Sequence, residues 1–92
     1  MSKISKEMIN ELYQLILNLE TLQDCEDMFS DLCTMKELEQ MAQRVRAAKL
    51  LMEKKTYNTV IEETDISSAT LSRVSRCVQY GKGYKRFLGN KQ

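Results

Sequence analysis

If the stretch from Ser67 to Tyr80 is helical, Ser67, Ser68, Ala69, Ser72, Arg73 and Arg76 fall on one side of it. Those side-chain types recognise rather than make bonds. Hydroxyls and a helix N-terminus bind phosphate, arginine forks onto guanine, and small methyl groups touch thymine. Bond-making chemistry finds little support elsewhere. The chain has no histidine, so the usual general base is missing and no catalytic residue is assigned. Cys25, Cys33 and Cys77 are odd in number and too widely spaced for a metal knuckle, and read as three reduced, buried thiols. The acidic residues Asp24, Glu26, Asp27 and Asp31 lack the glycine and fixed ligand spacing of a calcium loop and read as a solvated face. No metal and no cofactor is expected.

Two short helices and a bend must position that face. Thr56 can cap a helix ending near Thr64, and Asp65 stands at the bend, where the backbone turns left-handed and Asp is tolerated better than most residues. Ser67 or Ser68 caps the second helix. The inward positions then fall on Val60, Ile66, Leu71 and Val74, all apolar. Ile61 is bulkier than the alanine usual where two such helices cross. Gly81 and Gly83 are expected to stop the second helix, and Tyr84, Phe87 and Leu88 suggest a short closing helix.

Upstream, Ile4, Met8, Leu12, Leu15, Ile16, Leu19 and Leu22 recur at three- and four-residue steps, the mark of an amphipathic first helix with Ser5 as N-cap. Ile9, Tyr13 and Leu17 widen its apolar surface beyond one stripe, which favours a dimer interface over an ordinary core helix. Thr21 to Asp24 can cap a second helix running to about Leu32, with Cys25, Met28, Phe29, Leu32 and Cys33 on one face. Thr34 and Glu37 have the spacing of a capping box for a third helix running to about Lys54. Leu38, Met41, Ala42, Val45, Ala48, Leu51 and Met52 are its expected buried side, leaving Gln43, Arg44, Arg46, Lys49 and Glu53 more exposed.

The whole-chain numbers agree with this. Ninety-two residues make one domain, 42% hydrophobic content suffices for a fold, and no proline with only three glycines favours helix nearly throughout. The formal charge of +1 hides an asymmetry: Met1–Ala42 holds three basic and nine acidic residues. After Asp65 there is no acid, while Arg73, Arg76, Lys82, Lys85, Arg86 and Lys91 follow. A basic run over the outward helix face points to a polyanion. No signal peptide and no apolar run near the ~18 residues that span a bilayer is present, so no membrane partner and a cytoplasmic location are expected.

Gln43–Leu51 (QRVRAAKLL), followed by Ser67–Leu88 (SSATLSRVSRCVQYGKGYKRFL), resembles the Trp repressor family, and in particular its YerC/YecD-type Trp-repressor-like proteins. The likeness spans about Phe29 to Leu88 and, more loosely, the first two helices. It implies an all-α, six-helix, helix-turn-helix fold in an intertwined homodimer. The chain would then be a single domain: 1–33 dimerisation helices, 34–55 long central helix, 56–80 helix-turn-helix, 83–89 short closing helix. It also implies double-stranded DNA as partner and a palindromic operator, with reading heads about one helical turn (~34 Å) apart.

In that family two arginines sandwich the indole of tryptophan as corepressor. Arg44 and Arg73 occupy the matching positions, and Thr34 matches a threonine beside the pocket. Val74, however, stands where the family has a glycine that makes room for the ligand, and Cys77 replaces a serine that helps hold it. Overpacking of this kind costs about 1–3 kcal/mol, so tryptophan is not expected as an effector. The leading expectation is a non-enzymatic, sequence-specific DNA-binding regulator, a repressor if its operator overlaps a promoter. Ser67, Ser68, Ala69, Ser72, Arg73, Arg76, Lys82 and Lys85 would contact DNA. The alternative is a protein-interaction module on a degenerate helix-turn-helix, binding polymerase or another regulator; it would not need the basic outer face.

Overall fold

Small hydroxyl side chains, one of them paired with a carboxylate, start four of the helices described in this chain by covering backbone N–H groups that have no partner within the helix. The computed structural model describes Ser5–Gly89 and contains six α-helices: α1 (Lys6–Leu17), α2 (Leu22–Leu32), α3 (Met35–Met52), α4 (Tyr57–Thr64), α5 (Ser68–Tyr80) and α6 (Gly83–Leu88). Ile4 of the expected apolar stripe and Lys91 of the basic run lie outside the described residues. The chain divides into two compact units, Met1–Met35 and Lys36–Gln92.

In the first unit Ser5 caps α1, its Oγ accepting from the Met8 N–H at 3.2 Å. Thr21 caps α2 as half of a capping box whose other half is Asp24. Thr21 Oγ1 accepts from the Asp24 N–H at 3.0 Å, and Asp24 Oδ2 accepts from the N–H groups of Glu20 at 3.0 Å and Thr21 at 3.3 Å. The Glu20 N–H, more than any other contact, holds the Asp24 carboxyl below its ordinary value; burial acts in the opposite sense, and the Thr21 side chain and N–H add to the lowering. α1 ends at Leu17, so the periodic stripe runs through the turn: Leu19 lies between the helices and Leu22 opens α2, largely exposed. No described residue of α1 or α2 is buried. The expectation of three buried thiols is corrected here, since Cys25, Cys33 and Cys77 are free but each only half-buried.

The second unit holds the core. Ala47, Ala48, Leu50, Val60, Ile66, Leu71 and Val74 are buried together, with Leu51, Ile61, Val78, Tyr84 and Leu88 packed on them. On α3 this differs from expectation. Ala47 and Leu50 join Ala48 in the core, whereas Ala42 and Val45 are exposed and Gln43 and Arg44 are half-buried. The reason is volume. Alanine lets two helices approach closely, and a stripe ranked by hydrophobicity undervalues it. α3 also stops earlier than expected. The Lys54 N–H donates to the Leu51 carbonyl at 3.0 Å and the Lys55 N–H to the Leu50 carbonyl at 3.1 Å, with Lys54 in the left-handed region at φ 69°. This is the pairing with which helices commonly end, though glycine more often takes the left-handed position.

Candidate nucleic-acid interface

The geometry of the interface begins at the bend between α4 and α5. Thr56 caps α4, its Oγ1 accepting from the Thr59 N–H at 3.2 Å. At the far end Asp65 turns left-handed, φ 63° and ψ 21°, while its N–H still donates to the Ile61 carbonyl at 2.8 Å. Two residues on, Ser67 returns to extended backbone and caps α5. The four apolar positions expected to face inward do so: Val60, Ile66, Leu71 and Val74 are each no more than 3% exposed. Burying each contributes about 1.5–3 kcal/mol. With one face of α5 fixed in the core, the opposite face is fixed toward solvent.

On that outward face Ser68, Ala69, Ser72, Arg73 and Arg76 are all exposed. Neither Arg73 nor Arg76 is hydrogen-bonded or ion-paired to a described residue, so both guanidinium groups keep their donors available. Ser67 is exposed too, but its hydroxyl is already engaged. It accepts from the Thr70 N–H at 3.2 Å and donates to Thr70 Oγ1 at 3.0 Å. Its remaining capacity is one acceptor lone pair.

Beyond α5 the picture shifts. Gly81 ends the helix in extended backbone, and a Cβ there would stand 2.6 Å from the Cys77 carbonyl oxygen, so any side chain would force the chain to move. Gly83 does not stop α5; it is the first residue of α6. Lys82 is exposed between the two helices. Lys85 folds back, its Nζ donating to the Gln79 carbonyl at 3.0 Å, a cation neutralising the negative end of α5. Sequence spacing gave no sign of that contact, because it depends on the angle between α5 and α6. On α6, Arg86 lies 5.1 Å from the ring centre of Phe87, and Phe87 itself is largely exposed.

Five residues are expected around an effector: Thr34, Arg44, Arg73, Val74 and Cys77. Val74 is 1% exposed and belongs to the core, Arg44 is half-buried on α3, and Arg73 points outward on α5. Thr34 immediately precedes α3 and is exposed. Of the five, Cys77 lines an apolar groove of about 480 Å³, shared with Val45, Gly81, Tyr84, Phe87 and Leu88 among others. Among the described residues no cluster of three or more cysteine, aspartate or glutamate side chains could hold a metal ion, and no helix is long and apolar enough to cross a membrane.

Comparison with known proteins supplies relatives for this arrangement. The family model described as Trp repressor protein matches residues 7–92. The Bacillus subtilis (strain 168) protein YerC, described as uncharacterized, is 42% identical over 79 residues, covering 86% of this chain and 76% of that protein. A crystal structure of a putative Trp repressor from Staphylococcus aureus superposes with a TM-score of 0.86 at 38% identity, over 94% of this chain and 87% of that one. A TrpR-like protein from Eubacterium eligens ATCC 27750 gives a TM-score of 0.84 at 41% identity, over 91% and 88%.

Proposed function

This chain belongs to the Trp repressor family, and from that premise we propose that it is a sequence-specific, double-stranded-DNA-binding regulator of transcription, acting as a repressor. The family is one of regulators rather than enzymes. One observation carries the proposal. The inward side of α5 is filled by Leu71 and Val74, while its outward side offers Arg73 and Arg76, neither paired to a described residue, beside Ser68, Ala69 and Ser72.

On this reading α5 enters the major groove of a palindromic operator. Arg73, Arg76 and Lys82 neutralise phosphates or fork onto guanine, Ser68, Ala69 and Ser72 set register and part of the base reading, and Ser67 holds the helix end. Lys85 acts from α6 once its contact with Gln79 opens. Affinity then falls steeply with salt, because each neutralised phosphate releases condensed counterions. A salt titration against random duplex DNA tests this: a flat response would instead favour the protein-interaction reading. Arg73→Ala should weaken binding to a selected duplex about tenfold to a hundredfold; unchanged affinity in a gel shift would count against this docking.

A palindromic site calls for a two-fold protein. The support is in α1, where Met8, Ile9, Leu12, Tyr13, Ile16 and Leu17 leave an apolar face exposed. We assign residues 1–33 to an intertwined homodimer, 34–55 to the central helix, 56–80 to DNA reading and 83–89 to closure, in a cytoplasmic protein. Tryptophan is not the corepressor in this reading, since Val74 fills the position with a buried side chain. Calorimetry with L-tryptophan should show no micromolar binding; such binding would overturn the assignment.

A further inference from the structure

The bend between α4 and α5 is held by more than its own residues. Thr64 is its hub. Its hydroxyl donates to the Val60 carbonyl at 2.7 Å and accepts from the Ile66 N–H at 3.3 Å. Its carbonyl, at the C-terminal end of α4 where the helix offers no partner, accepts from Gln43 Nε2 at 3.0 Å across a separation of 21 residues. Gln43 lies on α3 and is half-buried, although the sequence pattern counts it with the exposed side.

From this we infer that Gln43 is a positioning residue for base reading: it ties the bend to α3 and thereby sets the orientation in which α5 presents Ser68, Ala69, Ser72, Arg73 and Arg76. The inference rests on the DNA-binding reading above and adds to it a residue outside the helix-turn-helix that governs selectivity. Two observations separate this from a purely stabilising role. The bond lies in an open, half-polar groove of about 510 Å³ lined by Glu39, Ala42, Gln43, Arg46, Glu63 and Thr64, so water can satisfy the Thr64 carbonyl if the amide is removed. Water, however, is not fixed to α3, and the tether is lost. The core, for its part, grips α4 and α5 through Val60, Ile66, Leu71 and Val74, and Gln43 is not among its members. Loss of the amide therefore leaves the fold and loosens the bend.

Gln43→Glu keeps the shape but removes the donor and adds a charge beside Glu39 and Glu63, and Gln43→Ala removes the side chain. For the full-length wild type and both variants, three quantities are measured: affinity for a duplex selected by the wild type from a randomised pool, affinity for a random duplex at low salt, and amide hydrogen exchange at Ile66 and Leu71. The inference expects both variants to lose about tenfold in selected-over-random preference, the size of one lost base contact. Random-duplex affinity should stay within about twofold, Ile66 should exchange faster, and Leu71 should be unchanged. Preserved preference overturns it. So does a parallel loss on both duplexes with faster Leu71 exchange, which would make Gln43 merely structural. If the wild type selects no duplex at all, the proposed function falls. The tether is then judged by Ile66 exchange alone, and unchanged Ile66 exchange in both variants overturns it.

Discussion

The two units of this chain use the same local devices and arrive at opposite states of burial. α1 and α2 are capped by Ser5 and by the Thr21–Asp24 box, and α4 and α5 are capped by Thr56 and Ser67 in the same manner. Yet no described side chain of α1 or α2 is buried, while α4 and α5 supply Val60, Leu71 and Val74 to a shared core. Caps decide where a helix begins; they do not decide what it is for. Helices of this length draw most of their stability from packing, which the second unit has and the described contacts of the first do not supply.

The sharpest way to break this comparison is in the core. Leu71→Ala should cost about 2–5 kcal/mol in denaturant unfolding, since the side chain is fully buried and its loss leaves a cavity. Leu17→Ala, at a side chain 75% exposed, should cost under about 0.5 kcal/mol in the same measurement at concentrations where the chain is monomeric. Equal losses would mean that the two units do not differ as described.

A smaller effect sits at the bend. Asp65 adopts φ 63°, a conformation that costs a branched residue more than a short polar one. Asp65→Val should destabilise by about 1–2 kcal/mol, whereas Asp65→Gly should stay within about 0.5 kcal/mol of wild type, relief of strain offsetting added backbone freedom. A strongly destabilising Asp65→Gly would show that the carboxylate itself holds the bend.

The smallest effect belongs to the first unit. The Asp24 carboxyl titrates below its unfolded value, chiefly because the Glu20 N–H bonds its charged form. A depressed carboxylate stabilises above its unfolded value and loses that contribution as pH falls through the lowered folded one. Helical signal from α2 should therefore decline as pH falls below the ordinary carboxylate range, and Asp24→Asn should flatten the decline. Resonances of Ser67 and Thr70, whose cap carries no carboxylate, should not move with it.

Much of the fold was legible because its signals are local. The caps at Ser5, Thr21, Thr56 and Ser67, the left-handed Asp65 and the four inward residues of the helix-turn-helix all follow from neighbours a few positions away. The outward face of α5 was legible for the same reason, since a helix with one side fixed has its other side fixed too. The end of α1 was not. The apolar period continues through Leu19 and Leu22, and only the backbone shows that the helix stops at Leu17.

What the sequence determined by itself is thus the set of helices, their starts, the bend and the chemistry offered at the surface of α5. Tertiary structure decided the rest. It chose the Ala47–Leu50 side of α3 for the core, turned Gln43 inward to the Thr64 carbonyl and folded Lys85 back onto the end of α5. Each of these depends on how closely and at what angle two helices meet. That is set by the summed volumes of side chains far apart in sequence, which no periodicity along one helix encodes.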